Sequence, residues 1–396
     1  LMAILVFMVG GGTSPAVEPR PVRIVYFYTT DREPLENHAE RIDRTMREVQ
    51  EFYRVGMREY GYDQCFALER DADGKLVIHY VPAQKPMSGY GRDSAWEIRN
   101  EVRKYLLGKE QIDIDQETIV LFETLLRWND DHTEAAELGP YCGWGTPVKG
   151  TAWVYDDPML DSARLSSKEP GGFYMRPCSI GEFNSHYVGG IAHELGHAFS
   201  LPHDCERTDE RRERGASLMG GGNHTFGQEQ RGEGRGTFLT ETSAARLAQI
   251  RPFRTDYPEA GAESSDGGNE KPSEMTLTDL DLRVLKAEEN DGVPAIRVEG
   301  NVNGTPTIVR MILYLDCTAI RSDYDAIGSV AKIDEKGRFS LVADDFSKAR
   351  DPSQRKWELR LTGVHENGTV SMSVFTAEMS EDGELKLDHP AVPAKQ

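Results

Sequence analysis

The chain has 396 residues, of which 38% are hydrophobic and 28% are charged, and these values are ordinary for a soluble globular protein. This length is sufficient for two domains. The formal net charge of -20 argues against nucleic acid and against anionic membrane surfaces as partners.

The N-terminus, residues 1–20, resembles a signal peptide. An apolar run of about nine residues is followed by small residues, among them Ser14 and Ala16, as in a hydrophobic region and its cleavage site. The run is shorter than the about 20 apolar residues that span a bilayer, so we predict no transmembrane segment. No basic residue precedes the run, which predicts a truncated start. We expect a secreted or periplasmic protein; a buried strand is the alternative.

Residues 21–255 alternate between predicted strands and helices. Runs rich in β-branched and aromatic residues predict strands, whereas apolar residues at three- and four-residue steps predict helices. The Asp-Gly turn within Asp71–Gly74 predicts a hairpin between Phe66–Glu69 and Leu76–Val81. The other expected strands are Val22–Thr30, Thr118–Leu126 and Gly150–Asp157, and the expected helices are Pro34–Tyr60, Asp93–Leu107, Ser185–Phe199, Glu206–Arg214 and Leu239–Ile250.

One predicted helix carries the sequence HELGH, and the chain continues as AFSLPHD. His193 and His197 are four residues apart and therefore lie on one face of the helix, from which both imidazoles can reach one Zn²⁺. Glu194 is close enough to contact a water on that metal without becoming a ligand. A catalytic zinc needs a third protein ligand and keeps its fourth position open. His203 is the candidate, because Pro202 cannot continue the helix and the chain must turn back there.

These residues, together with Met219 in SLMGGG, resemble the metzincin metallopeptidases, whose pattern is HExxHxxGxxH followed by a methionine turn. Asp204, directly after the third histidine, is most similar to the reprolysin (adamalysin)-like branch. The resemblance implies a Zn²⁺ cofactor and assigns the site residue by residue. It makes Glu194 the general base, Met219 the residue beneath the metal, and His193, His197 and His203 the metal ligands.

The chain departs from the metzincin pattern at two positions. Ser200 stands where the family has a glycine in a left-handed turn, and a non-glycine residue in that conformation costs about 1–2 kcal/mol. Gly221 stands where astacin-like and serralysin-like relatives have a tyrosine ligand, so we expect no tyrosine ligand here. Neither departure removes a zinc ligand.

The strand at Thr151–Tyr155 resembles the G-x-A-x-V strand that forms the sheet edge along the substrate in reprolysin-like enzymes. By that resemblance it would pair with an extended peptide through strand addition. The alternative is an ordinary strand inside the sheet.

The chain contains five cysteines. Exported proteins can form disulfides, and the four cysteines among the first 205 residues permit three pairings, between which the sequence does not choose. Cys317 lies apart from the others and is predicted to be a buried thiol outside any disulfide.

The composition changes over residues 256–274 to proline, glutamate, glycine and serine, which predicts a linker. Beyond it, short alternating runs at about ten-residue spacing predict an antiparallel β-sandwich without a catalytic cluster over residues 275–396. These runs are Ile296–Val302, Ile308–Asp316, Phe339–Val342, Trp357–Leu361 and Val370–Phe375. The predicted fold class is therefore α+β, with a zincin-like catalytic domain over residues 21–255, built from a twisted mixed sheet and helices, and a β-sandwich accessory domain.

We predict a zinc-dependent endopeptidase that acts on a protein or peptide substrate. An alternative within enzymes replaces His203 by a downstream acid, Glu206 or Glu210, as the third ligand. An alternative from another class is a non-catalytic or latent zinc protein whose β-sandwich domain binds a surface or a protein partner. His186, two helical turns before His193, is expected to support the site rather than to bind metal.

Overall fold

A computed structural model of the chain describes residues 20–257, 273–290, 292–318, 324, 326–346, 356–380 and 385–388. The signal-like segment (1–20) and the linker (256–274) fall almost entirely outside these residues and stay predictions. Within the part of the chain that is described, no helix is both long enough and apolar enough to cross a membrane.

The N-terminal part, residues 20–257, contains five α-helices and eleven β-strands. The helices are α1 (His38–Glu59), α2 (Ala95–Lys109), α3 (Ile180–Ala198), α4 (Thr208–Glu213) and α5 (Glu241–Leu247). The strands are β1 (Arg23–Tyr28), β2 (Ile78–Pro82), β3 (Thr118–Glu123), β4 (Leu126–Trp128), β5 (Ala135–Glu137), β6 (Cys142–Gly145), β7 (Gly150–Tyr155), β8 (Pro170–Tyr174), β9 (Arg176–Ser179), β10 (Ala216–Ser217) and β11 (Thr237–Phe238).

The central sheet of this part has the strand order β2-β1-β3-β7-β6. Four of its strands run parallel, and β6 pairs antiparallel with β7. Every residue of β3 and β7 is buried, as expected for central strands that are covered on both faces. The sheet is packed against α1 through apolar side chains at three- and four-residue steps, namely Ile42, Met46, Val49, Tyr53 and Met57.

The predicted hairpin is only partly present. Arg70 and Leu76 form an isolated antiparallel bridge, but the following strand, β2, pairs in parallel with β1. A two-stranded hairpin is marginally stable by itself, whereas joining β1 extends the sheet and buries Val81 completely. The long-range pairing of β2 with β1 therefore forms in place of most of the predicted local hairpin.

A buried ion pair connects α1 to the end of β7. Arg41 donates through Nη2 to both carboxylate oxygens of Asp156, at 2.9 and 3.0 Å. The hydroxyl of Tyr26 on β1 donates to the same carboxylate at 2.9 Å. Removing the carboxylate would leave the guanidinium buried without its counter-charge.

A second polar contact holds β2 at its edge of the sheet. The side chain of His79 is within hydrogen-bond distance of two carboxylates, Glu69 at 2.8 Å and Glu110 at 2.5 Å. Burial alone would lower the pKa of His79, but the two carboxylates outweigh burial and raise it above its ordinary value.

The C-terminal part, which is described within residues 273–388, is all β. Its strands are β12 (Glu274–Leu285), β13 (Ala295–Thr305), β14 (Ile308–Cys317), β15 (Ile327–Lys332), β16 (Arg338–Ala343), β17 (Lys356–His365), β18 (Val370–Met379) and β19 (Leu385–Asp388). They form two antiparallel sheets, β12-β13-β16 and β15-β14-β17-β18-β19. Apolar residues of both sheets, among them Val298 and Leu359, belong to one buried cluster. The predicted α+β class is confirmed.

The two parts contact each other just after the third predicted zinc ligand. The backbone N–H of Cys205 donates to the carbonyl of Ala326 at 2.8 Å, and Cys205 forms a parallel bridge with Ile327. Arg207 forms an ion pair with Asp344 at 2.6 Å. The loop that follows His203 is thus attached to the C-terminal part.

None of the five cysteines, all of which lie among the described residues, forms a disulfide. Cys317 is buried, which confirms the prediction for that residue. The three pairings that the sequence permits for the other cysteines do not occur.

Candidate metal centre

Three histidines converge at the C-terminal end of α3. The rings of His193 and His197 lie one helical turn apart, with centroids separated by 4.8 Å. The ring of His203 lies 4.5 Å from that of His197 and 5.4 Å from that of His193. One ligand atom from each histidine lies within 4.8 Å of the other two, and within the described residues this is the group that could hold a metal ion.

A left-handed turn brings His203 back to the helix. Ser200 has a φ of 66°, the conformation for which the metzincin pattern uses glycine. The N–H of Leu201 donates to the carbonyl of Gly196 at 3.0 Å, and Arg246 donates to the carbonyl of Ser200 at 2.8 Å. These contacts hold a serine in a turn that it does not favour.

Hydrogen bonds orient two of the imidazoles. Nδ1 of His193 lies 2.7 Å from the carbonyl of Leu218, and Nδ1 of His197 lies 3.0 Å from the carbonyl of Leu201. A carbonyl only accepts, so each Nδ1 carries the proton and each Nε2 of the neutral ring keeps its lone pair. Metal-bound histidines have this arrangement. Nε2 of His197 lies 2.9 Å from Nε2 of His203, so these nitrogens point to a common place.

The electrostatics keep these imidazoles uncharged. Burial, followed by the proximity of His197, lowers the pKa of His193 to about 3. Burial also lowers the pKa of His197. Because a metal binds the neutral imidazole, no proton has to be displaced from these two rings at neutral pH.

The segment that contains Met219 packs against α3 next to the histidines. Met219 is buried, and a Cβ added to Gly196 would lie 2.4 Å from its sulfur, so the sulfur packs directly on α3. The preceding residue, Leu218, supplies the carbonyl that orients His193. Asp204 accepts from the hydroxyls of three residues at the start of α5, which attaches the turn after His203 to that helix; these are Thr240, Thr242 and Ser243.

Glu194 lies between the metal-binding group and the edge of the sheet. Its side chain is partly exposed, and burial raises its pKa to about 8, while a hydrogen bond from the backbone of Gly143 acts in the opposite direction. Gly143 belongs to β6, which is packed tightly on α3. A Cβ at Gly143 would lie 2.0 Å from the carbonyl oxygen of Glu194, and one at Gly145 would lie 1.9 Å from that of Ala198.

Of the two interpretations of Thr151–Tyr155, the sheet edge is wrong and the ordinary strand inside the sheet is confirmed. This segment belongs to β7, which lies between β3 and β6 and is buried throughout. The edge strand is β6, because Cys142–Gly145 pairs antiparallel on the outer side of β7. The sequence did not predict β6 because this segment is rich in glycine, which has a weak strand propensity.

The structure places the alternative ligands elsewhere. Glu206 accepts from the backbone N–H of Ser217 at 3.0 Å, and Glu210 caps α4 through the N–H of Arg207. Neither belongs to the described group that could hold a metal. His186 is also outside that group, and its ring stacks on that of Tyr174.

Two contributions to the site had no signal in the sequence. The first is Gly143, whose backbone contacts Glu194. The second is Tyr324, a residue of the C-terminal part whose ring stacks on His203 with centroids 3.6 Å apart. A further pair, His186 and His224, forms a hydrogen bond at 2.7 Å, and His186 stacks on Tyr174.

Solved structures resemble this chain over most of its length. Wild-type OgpA from Akkermansia muciniphila has a TM-score of 0.73 at 24% sequence identity, over 93% of this chain and 96% of that chain. The fold is similar to that of OgpA. A second crystal form of wild-type OgpA has the same TM-score at 23% identity, over 97% of this chain and 100% of that chain.

A catalytically inactive OgpA has been solved in complex with an O-glycopeptide (glycodrosocin) substrate. Its TM-score to this chain is 0.73 at 23% identity, over 93% of this chain and 96% of that chain. No protein-family profile matches the sequence, and no curated protein matches it. The comparison with OgpA therefore establishes the fold, and the function has to be argued from the site.

Proposed function

We propose that the chain is a zinc-dependent endopeptidase of the metzincin type, most similar in its motif to the reprolysin-like branch. The observation that carries this proposal is the convergence of His193, His197 and His203 beside Glu194. Three nitrogen ligands with an accessible carboxylate next to them are the donor set of a catalytic zinc site rather than of a closed structural one.

The histidines fit zinc in their protonation as well as in their position. His193 and His197 present unprotonated Nε2 atoms, because their Nδ1 atoms donate to backbone carbonyls. All three ligands are uncharged when bound, so the site keeps the full positive charge of the ion. Zinc, when bound, lowers the pKa of a water molecule towards neutrality and polarises the scissile carbonyl.

Glu194 is proposed to move the proton. Its side chain is partly exposed and follows the first predicted ligand, His193, directly in the chain, so it could contact a water molecule beside the three histidines. It would accept the proton of the attacking water and deliver it to the leaving amine. The hydrogen bond from the backbone of Gly143 would keep the carboxylate turned towards the edge of the sheet.

The edge strand β6 is proposed to bind the substrate. Its inner side pairs with β7, and the glycines at positions 143 and 145 let it lie directly on α3 beside Glu194. An extended peptide added to the outer side of β6 would place its backbone along the metal-binding group. Because OgpA has been solved with an O-glycopeptide substrate, peptides that carry an O-glycan are the first substrate class to test.

The test combines metal analysis with digestion of a mixed peptide library, and with one peptide supplied with and without an O-linked sugar. The wild type should contain stoichiometric zinc and cleave peptides, and chelation should abolish cleavage. Glu194→Ala should keep the zinc and lose hydrolysis. Full activity of that variant would refute the proposed mechanism.

Two variants separate the third-ligand alternatives. His203→Ala should lose zinc, whereas Glu206→Gln should retain it; the opposite pattern would favour the acidic ligand. Zinc without any cleavage by the wild type would support the alternative of a latent or non-catalytic zinc protein whose C-terminal part binds a surface or a partner.

A further inference from the structure

A tyrosine from the C-terminal part lies against the metal-binding histidines. The ring of Tyr324 stacks on that of His203, with centroids 3.6 Å apart and planes inclined by 23°. It is also nearly parallel to the ring of His193, at 12° and a centroid distance of 6.2 Å. Tyr324 is nevertheless 48% exposed. One face of its ring is therefore covered by the site, and the rest borders open space beside it.

The contact between the two parts fixes this position. The N–H of Cys205 donates to the carbonyl of Ala326 at 2.8 Å. Cys205 follows His203 by two residues, and Ala326 follows Tyr324 by two residues. Cys205 also forms a parallel bridge with Ile327, so the two parts are joined close to both rings in the chain. A Cβ at Gly328 would lie 2.2 Å from the side chain of Thr242, which shows how tightly this contact is packed.

We propose that Tyr324 is a wall of the substrate cleft, so that the C-terminal part completes the active site instead of acting as a separate binding module. The proposal rests on the proposed peptidase function. Stacking on His203 already fixes the orientation of the ring, so contact with a bound peptide costs little side-chain entropy. Its exposed surface offers an aromatic contact to the peptide.

Peptide binding without turnover tests the proposal directly. Zinc-loaded Glu194→Ala protein would be titrated with a peptide that the wild type cleaves, with and without Tyr324→Ala. An aromatic contact is worth about 2- to 10-fold in affinity, so Tyr324→Ala should weaken binding by that factor. Tyr324→Phe should restore most of the affinity, because it keeps the ring. In the active protein, Tyr324→Ala should raise KM by a similar factor with a smaller change in kcat.

Tyr80→Ala is the matched control. Tyr80 is similarly exposed, at 39%, and contacts His38, but it belongs to β2 at the opposite edge of the sheet from β6. It should leave peptide affinity and KM unchanged. Unchanged affinity and KM in Tyr324→Ala, with an active wild type, would overturn the inference about Tyr324 alone. Loss of zinc from that variant would also overturn it, since Tyr324 would then act by holding His203. An inactive wild type that still binds zinc would count against the proposed function.

Discussion

Strand β6 lies directly on α3 at Gly143, beside Glu194, and Gly143→Ala tests this contact. The added Cβ would lie 2.0 Å from the carbonyl oxygen of Glu194 and 2.8 Å from the Cβ of His197. Ordinary van der Waals contact begins at 3.4 Å, so the distance from the added Cβ to the carbonyl oxygen is 1.4 Å too short. The first neighbour is a backbone atom of α3 and the second is the first side-chain carbon of a helix residue, so neither can rotate away from the added Cβ. Either β6 or α3 has to move by about that amount.

A displacement of about 1 Å in a catalytic group can cost about a hundredfold in rate. We therefore expect kcat/KM of Gly143→Ala to fall by about a hundredfold on a peptide that the wild type cleaves, with zinc retained. The forced packing should also lower the free energy of unfolding by about 1–3 kcal/mol, measured by urea denaturation.

Gly108→Ala provides the matched control, because Gly108 lies in the last turn of α2 with nothing within 4 Å of an added Cβ. Alanine favours the helix by up to about 1 kcal/mol over glycine, so this variant should be as stable as the wild type or more stable, and fully active. If Gly143→Ala also had wild-type kcat/KM and stability, the inferred contact between β6 and the helix would be refuted.

Three further substitutions test the stability of the N-terminal part. Asp156→Ala leaves Arg41 buried without its counter-charge, so urea denaturation should show a loss of about 3–5 kcal/mol in the free energy of unfolding. His79→Gln removes a histidine whose pKa is raised in the folded state, so the stability it contributes is complete below the unfolded pKa of about 6.5 and is lost as pH rises through the folded value. The variant should therefore lose more stability at about pH 5.5 than at about pH 9. Ser200→Gly relieves a left-handed serine, worth about 1–2 kcal/mol, against a glycine entropy cost of about 0.5–1, and should raise the free energy of unfolding by about 0.5–1 kcal/mol.

For each of these three variants, a specific result would contradict the expected outcome. Asp63→Ala breaks an exposed pair with Arg58 and should cost less than about 1 kcal/mol, so equal losses in Asp63→Ala and Asp156→Ala would contradict the role of burial. A loss in His79→Gln that does not depend on pH would show that the histidine is neutral in the folded protein. Destabilisation by Ser200→Gly would mean that the serine side chain contributes more than the strain costs.

The sequence predicted the parts of the site that depend on local geometry. His193 and His197 share a face because four residues make about one turn of any α-helix, whatever surrounds it. The turn at Ser200 followed from the proline two residues later and from the metzincin pattern, and the structure gives it the expected left-handed conformation. The strand and helix patterns were likewise local, so most of the predicted elements of the N-terminal part are present, with ends shifted by a few residues.

The tertiary structure decided which elements meet. Strand patterns identify strands but not their partners, so the sequence left open whether Thr151–Tyr155 forms the sheet edge or an inner strand, and the structure places it inside the sheet next to β6. For the same reason the sequence analysis paired β2 in a hairpin when β2 joins β1. The approach of Gly143 to Glu194 and the stacking of Tyr324 on His203 depend on contacts between segments far apart in the chain. Such contacts are selected by the burial and packing of the whole fold, and no local spacing encodes them.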